Sequence, residues 1–413
     1  MPTTLLMSPG VRVEEVPSGE HSIEAVSTSV AAFVGVAPKA DAHLNEVRAI
    51  NNWSQFVKEY VPAENPVSTP LSHGVAGFFQ NGGSRCYVVN IAAGDAIAGV
   101  EKPKRTGLKL LEEIDDVSIV AAPGYSDVAS HAALQTHVEN KGDCFAILDT
   151  PAIVPDTDLL KTVESASVPA KPSGKKDSGD GTPPPDAPPS GMRPAVSKGG
   201  YTACYFPYLV VADPLSPKGE LVEVAPSGFI AGIYARVDRE RGVHKAPGNE
   251  TVRGALAPAY SVTNAEQAEL NAAGINVIRF FRRQGVLVWG VRTLAEESNE
   301  WRYVNVRRLT IMLETSILRA TSWAVFEPND VGLWKALRFE ISNFLKRVWR
   351  DGALRGATPE EAFFVKCDAE TNPPEVIDAG QVIAVVGFAP SKPAEFVIIR
   401  IGQHAGGGSA ETI

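Results

Sequence analysis

The sequence predicts an α/β N-terminal domain followed by an α+β C-terminal domain. Three observations carry that expectation. Between about residues 30 and 215, short apolar runs alternate with helix-like segments, the pattern of a largely parallel sheet with helices on its faces. Two long amphipathic patterns stand back to back at 301–349. Three further apolar runs follow them.

In chain order, the first feature is a β-prone run at 11–16, bracketed by Pro9-Gly10 and Pro17-Ser18-Gly19. No hairpin partner follows at once. Such a strand either frays or pairs with a sheet elsewhere, including one in another chain, because its backbone groups need partners. Runs at 31–36, 85–91, 117–122, 144–148 and 204–211 read as buried strands. Segments 53–60, 71–80 and 131–140 read as helices, with glycines 82 and 142 placed to cap the last two. Residues 164–200 carry Pro, Gly, Ser and mixed charge, which cannot bury enough apolar surface to offset ordering entropy. They read as a mobile surface loop inserted in the α/β domain, with a domain linker as the alternative.

Beyond residue 215 comes the charge-dense segment 238–250, then Thr263 with Glu266 three residues on, a capping box. Strand-like 275–280 and 286–291 flank Arg282-Arg283-Gln284-Gly285, a hairpin signal. In the first amphipathic pattern, Val306, Thr310, Leu313, Ile317, Ala320 and Ala324 recur at steps of four and three, widened by Leu309 and Met312. Pro328 stops it and Asp330 caps the next helix, whose buried stripe is Leu333, Leu337, Ile341, Phe344 and Val348. Residues 301–350 hold nine Lys/Arg against four Asp/Glu, a local excess of five positive charges in a chain of net charge −9. Runs 363–367, 382–388 and 396–401 complete the strands. The expected layout is an N-terminal strand segment at 1–20, an α/β domain at 21–255, an α+β domain at 256–392, and a strand with a flexible tail at 393–413.

Composition narrows the function. At 413 residues, 44% hydrophobic and 21% charged, the chain is ordinary globular protein of two or three packed domains. Its acidic balance argues against non-specific nucleic-acid binding, which needs surplus Lys/Arg over a broad surface. It has neither a signal-peptide pattern nor an apolar run long enough to span a bilayer, so residence where it is made is expected. Cys86, Cys144, Cys204 and Cys367 are too far apart for a zinc pattern and read as buried free thiols.

No GxSxG, GxxxxGK[ST], HExxH or GxGxxG motif occurs, and neither a cofactor nor a metal site is indicated. His131 and His137, six apart, do not share a helix face at ligand distance. An enzyme reading rests on Asp238, Arg239, His244 and Lys245, which could serve acid–base chemistry if they converged. Salt bridges in a packed connection are the competing account. A nucleic-acid reading of the basic 301–350 region is the third alternative.

Several segments, in order, resemble the contractile tail sheath protein family: Pro9 to Glu15, Ser27 to Gly35, Phe78 to Val89, Ala235 to Pro247, Ala273 to Asn276, Val288 to Leu294 and Arg302 to Arg308. Only the Pro-rich 164–200 stretch stands outside the likeness. The resemblance implies a structural subunit, not an enzyme, that polymerises helically around an inner tube and contracts to drive the tube through a target envelope. It implies synthesis in the cytoplasm and assembly into a phage tail or tail-like particle. Identical subunits, the tube protein, baseplate and terminal cap proteins are the implied partners, with no nucleic acid and no direct membrane insertion. Extended terminal arms would add strands to neighbouring subunits, through Val11, Val13 and Val16 at one end and Phe396, Ile398, Ile399 and Ile401 at the other. Lys335, Arg338, Lys346 and Arg347 would face an acidic tube.

Overall fold

The computed structural model describes residues 22–164, 191–295 and 300–395. Its first half holds β1 (Ala31–Gly35), β2 (Val47–Ile50), α1 (Trp53–Tyr60), α2 (Pro70–Gln80), β3 (Cys86–Asn90), β4 (Ile119–Ala121), α3 (Val128–Lys141) and β5 (Phe145–Asp149). Next come β6 (Thr202–Phe206), β7 (Leu209–Ala212), β8 (Leu221–Val224), α4 (Ser227–Arg241), β9 (Glu250–Thr251), β10 (Ala255–Pro258) and α5 (Asn264–Ala272). The chain continues with β11 (Ile275–Phe281), β12 (Gly285–Val288), α6 (Val304–Ala320), α7 (Val331–Arg350), α8 (Pro359–Ala362), β13 (Phe363–Lys366), α9 (Pro374–Asp378) and β14 (Val385–Phe388).

Among the described residues the large sheet runs β2-β3-β1-β4-β5-β6-β11-β12-β9. Its centre, β3 to β11, is parallel, and β2, β12 and β9 each pair antiparallel with their inner neighbour. Central parallel strands are covered on both faces, which is why all five residues of β1 are buried. Ala31 and Phe33 point to a core shared with Phe56, Val75, Phe78, Ile230 and Tyr234 of α1, α2 and α4. Ala32 and Val34 point to the opposite core, with Leu134 and Val138 of α3 and Leu270 of α5.

Two of these helices touch backbone to backbone. A Cβ on Gly228 of α4 would sit 2.3 Å from the Cα of Gly74 on α2, so only glycine permits this crossing. The N-terminus of α4 is fixed by Asp149 at the end of β5: Ser227 N and Oγ donate to its carboxylate at 2.8 and 2.7 Å. A buried carboxylate at a helix N-terminus is favoured by the orphan N–H groups and the helix dipole.

The run 204–211 is two strands, not one. β6 belongs to the large sheet, while β7 pairs with β10 and β8 in a separate sheet of three, because Pro207 lacks the N–H a ladder needs. β11 lies parallel to β6, so the large sheet continues past residue 255: a change in sequence character there is not a break in hydrogen bonding. β5 and β6 are adjacent and in register, which makes 164–200 a connection within one sheet. Residues 165–190 of that connection lie outside the described residues. At its near end, Glu164 accepts from His131 Nδ1 at 2.8 Å. All four cysteines are buried free thiols.

α6 is the spine between two cores. Val304 and Ile311 pack under the large sheet, while Leu309, Met312 and Leu313 meet Ile341, Phe344, Leu345 and Val348 of α7. A helix covered on both sides is buried around its circumference, so the single stripe read from spacing understates it. Arg307 and Arg308 are each 4% exposed and leave the basic surface that the charge count suggested. α7 keeps the predicted stripe, with Asp330 accepting from Leu333 N at 3.0 Å as its cap. Beyond it, β13 and β14 form an antiparallel pair. Among the described residues no helix is long and apolar enough to cross a membrane.

Candidate assembly surfaces

Residues 22–30 cross from the helical pair to the large sheet and are tied down at intervals, at Ile23, Val26, Thr28 and Val30. Ile23 is 1% exposed in the core of α6 and α7, and burying such a side chain contributes about 1.5–3 kcal/mol. Its carbonyl accepts from Arg347 Nη2. Val26 N donates to Ser316 Oγ on α6 at 3.0 Å, and Val30 N donates to Ser118 Oγ beside β4 at 3.1 Å.

Between these ties sits the strongest polar joint. Arg308 on α6 donates to Asp238 on α4 through Nη1–Oδ1 at 3.0 Å and Nη2–Oδ2 at 2.6 Å, and also to the Thr28 carbonyl at 2.8 Å. Thr28 Oγ1 returns a bond to Asp238 Oδ2 at 2.7 Å. The Arg308 guanidinium lies 4.5 Å from the Tyr234 ring centre. A planar fork matched to a carboxylate is the favourable geometry for a buried pair. Neighbouring Arg307 stacks instead between Tyr201 and Trp301, at 3.7 and 4.6 Å; burial lowers its pKa.

The other end of the described chain is anchored as firmly. Glu395 accepts from Arg292 Nε and Nη2 at 2.8 and 2.7 Å, from Asn271 Nδ2 at 2.8 Å and from Tyr303 OH at 3.2 Å. Burial pushes its carboxyl up, but these bonds outweigh it and hold it below the usual glutamate value. The roots of both terminal segments are thus fastened to the body by networks that hydrophobic patterning does not reveal. The sequence signal was the Arg307-Arg308 doublet beside the apolar positions of the first amphipathic helix, since buried guanidiniums need partners.

The residues singled out for enzyme chemistry do not converge. Asp238 is taken by Arg308 and Thr28, and Arg239 Nη1 donates to the Gly82 carbonyl at 2.9 Å. Lys245 Nζ donates to the carbonyls of Ala246 at 2.5 Å and Gly248 at 3.3 Å, and faces Glu250 at 3.4 Å. His244 and Lys245 do line an open cleft of about 810 Å³ with Trp289, Asn305 and the 391–395 segment, but burial lowers the His244 pKa and Asp238 is not in the cleft.

Of the residues expected to face a tube, Lys335, Arg338, Lys346 and Arg347 are all exposed on α7. Val331, Lys335, Phe339, Ser342 and Lys346 follow helical spacing on the side away from the buried stripe. Phe339 is 56% exposed there. Arg347 differs, because it also holds the Ile23 carbonyl. Val11, Val13, Val16, Phe396, Ile398, Ile399 and Ile401 lie outside the described residues.

Residues 91–294 match the family described as the phage tail sheath protein central domain, and 296–403 match the phage tail sheath C-terminal domain. A curated relative, the tail sheath protein of Vibrio phage KVP40, is 27% identical over 177 residues, 42% of this chain. The match spans 26% of that relative's length. Two solved structures are alike over the whole fold. One is the PVC sheath complex of an extracellular contractile injection system in the contracted state, with TM-score 0.73 and 31% identity, covering 98% of this chain and 99% of that one. The other is the helical sheath of the anti-feeding prophage, also contracted, with TM-score 0.73 and 30% identity, covering 97% and 100%.

Proposed function

The chain belongs to the phage tail sheath protein family, and from that premise we propose that it is the structural subunit of a contractile sheath. It polymerises helically around an inner tube and shortens to drive that tube through a target envelope, with baseplate and terminal cap proteins at the two ends. The observation that carries this reading is the end-to-end likeness to two contracted sheaths at TM-score 0.73. The family is structural, and the dispersal of Asp238, Arg239, His244 and Lys245 among structural bonds agrees with that.

Residues 1–20 and 393–413 act as the arms that join neighbours. Supporting this, both roots are clamped to the body, at Ile23 to Thr28 and at Glu395. The β13–β14 ladder is two strands wide among the described residues, too narrow to be self-sufficient and suited to gaining strands. Val11, Val13, Val16, Phe396, Ile398, Ile399 and Ile401 are the strand residues assigned to that augmentation. Lys335, Arg338, Lys346 and Arg347 on α7 face the tube. The central body around the large sheet forms the outer part of the sheath, and α6 to β14 the inner part.

Electron microscopy of the protein co-assembled with its tube tests the reading, with rings or tubular sheaths expected. A strictly monomeric species at high concentration, with and without tubes, would overturn it. Deleting residues 1–16 is expected to leave a folded protein that no longer assembles.

A further inference from the structure

The β11–β12 hairpin ends in a basic, aromatic tip that the fold does not use. Phe281 is half-buried, packed with its ring centre 4.6 Å from that of Trp289 and the Arg279 guanidinium 5.8 Å from it. Arg279 is further held by Asn264 Oδ1 at 2.9 Å. Phe280, the next residue along the strand, points to the other face and is 54% exposed. Arg282 and Arg283 in the turn are exposed and form no ion pair among the described residues. A rigid hairpin thus presents one aromatic ring and two unpaired guanidiniums, the side-chain types that anchor interfaces.

A complementary surface stands on the small sheet. β8 pairs only with β7 among the described residues, so it is an edge strand. Leu221 is 62% exposed, and Glu223, two residues on, shares its face. Glu220 immediately precedes it, and both carboxylates are exposed without an ion pair among the described residues. The exposed edge strand therefore offers an apolar side chain with Glu223 beside it on the same face and Glu220 at its start, an edge that the hairpin tip would complement.

We propose that the hairpin tip of one subunit docks on the exposed edge of β8 of a second copy. Phe280 covers Leu221, while Arg282 and Arg283 pair with Glu220 and Glu223. Because the two patches are different, the contact is heterologous, and a heterologous contact that does not close into a ring propagates a helix. Charges at such a rim set register and partner choice more than affinity, which suits a joint that must re-form during a lattice rearrangement. The inference rests on the sheath reading but adds a contact made by the body of the subunit, independent of the terminal arms.

The test is charge reversal with exchange, read as the fraction of protein sedimenting as sheath on tubes. R282E/R283E and E220K/E223K are each expected to lower that fraction roughly tenfold or more, since like charges then oppose across the joint. The four-fold variant, which restores opposite charges with reversed polarity, is expected to recover assembly. Thermal unfolding of all three should match the wild type, because the positions are exposed. Normal assembly of either reversed pair, or four-fold exchange without recovery, overturns the proposal. Salt-sensitive binding of R282 and R283 to nucleic acid, lost in R282E/R283E with sheath assembly unchanged, overturns it in favour of another partner. Wild-type protein that fails to assemble on tubes instead overturns the sheath reading itself.

Discussion

Arg308 lays two guanidinium nitrogens on the Asp238 carboxylate, at 3.0 and 2.6 Å, where the two side chains are 3% and 5% exposed. The pair joins α6 to α4 and, through Thr28, fastens the segment that leads to the N-terminus. Removing one partner from a buried pair strands the other charge, at a cost of about 3–5 kcal/mol. Arg308→Met is expected to lose about that much stability in urea unfolding. Arg308→Met with Asp238→Leu should lose less than the single change, because no charge is left buried. A single variant within about 1 kcal/mol of wild type would remove the pair from its role as the joint.

Asp149 titrates in the wrong direction for a typical paired carboxylate. Burial raises its pKa to about 6 from 3.8, despite donors from Ser227 and Gly124. A folded-state value above the unfolded one means that the native protein holds an extra proton between those limits. This site's contribution is therefore complete below 3.8 and is lost as pH rises through 6. Compared with Asp149→Asn, the wild type should gain stability as pH falls from 7 towards 4, with a slope approaching about 1.4 kcal/mol per pH unit. Denaturant titrations of both proteins across that range check it. A pH-independent difference between them would count against the buried, raised carboxyl.

Gly228→Ala puts a methyl group against the Gly74 backbone, which has no side chain to move aside. The helices must separate, and overpacking of this kind costs about 1–3 kcal/mol. A lowered unfolding midpoint with an unchanged helical spectrum is the expected result. Gly142→Ala is a control of another type, since its Cβ would meet open space and only its positive φ of 73° resists substitution.

Reversing Lys335, Arg338 and Lys346 to Glu alters an exposed face of α7 and should leave thermal stability nearly unchanged. Sheath assembly on tubes should weaken, and more so at low ionic strength, where surface charge is least screened. Arg347 is left out because it also holds the Ile23 carbonyl. Assembly indistinguishable from wild type would return α7 to a purely architectural role.

Much of the architecture could be read from residue order. Apolar runs located the central buried strands, Thr263 with Glu266 and Asp330 marked helix starts, and Arg282 to Gly285 marked the hairpin. These signals are local: capping, turn chemistry and side-chain period act over a few residues. The family likeness was legible for a related reason, since several short segments recur in a fixed order.

Tertiary structure decided what distant residues do to one another. Pro207 separates two sheets only because different strands wait on either side of it. Arg307 and Arg308 look like surface charge until α6 is placed between two cores, where burial obliges them to find Tyr201, Trp301 and Asp238. Asp238 and His244, six positions apart, look like one site until the fold commits the first to α6 and the second to the cleft. The sequence by itself determined many of the strands and helices, because those preferences are carried by near neighbours, but not the buried helix α4 or the strands β2, β8 and β10. Only the tertiary structure decided which charges are buried and paired, because the energy of a charge depends on the solvent and partners that the whole fold leaves it.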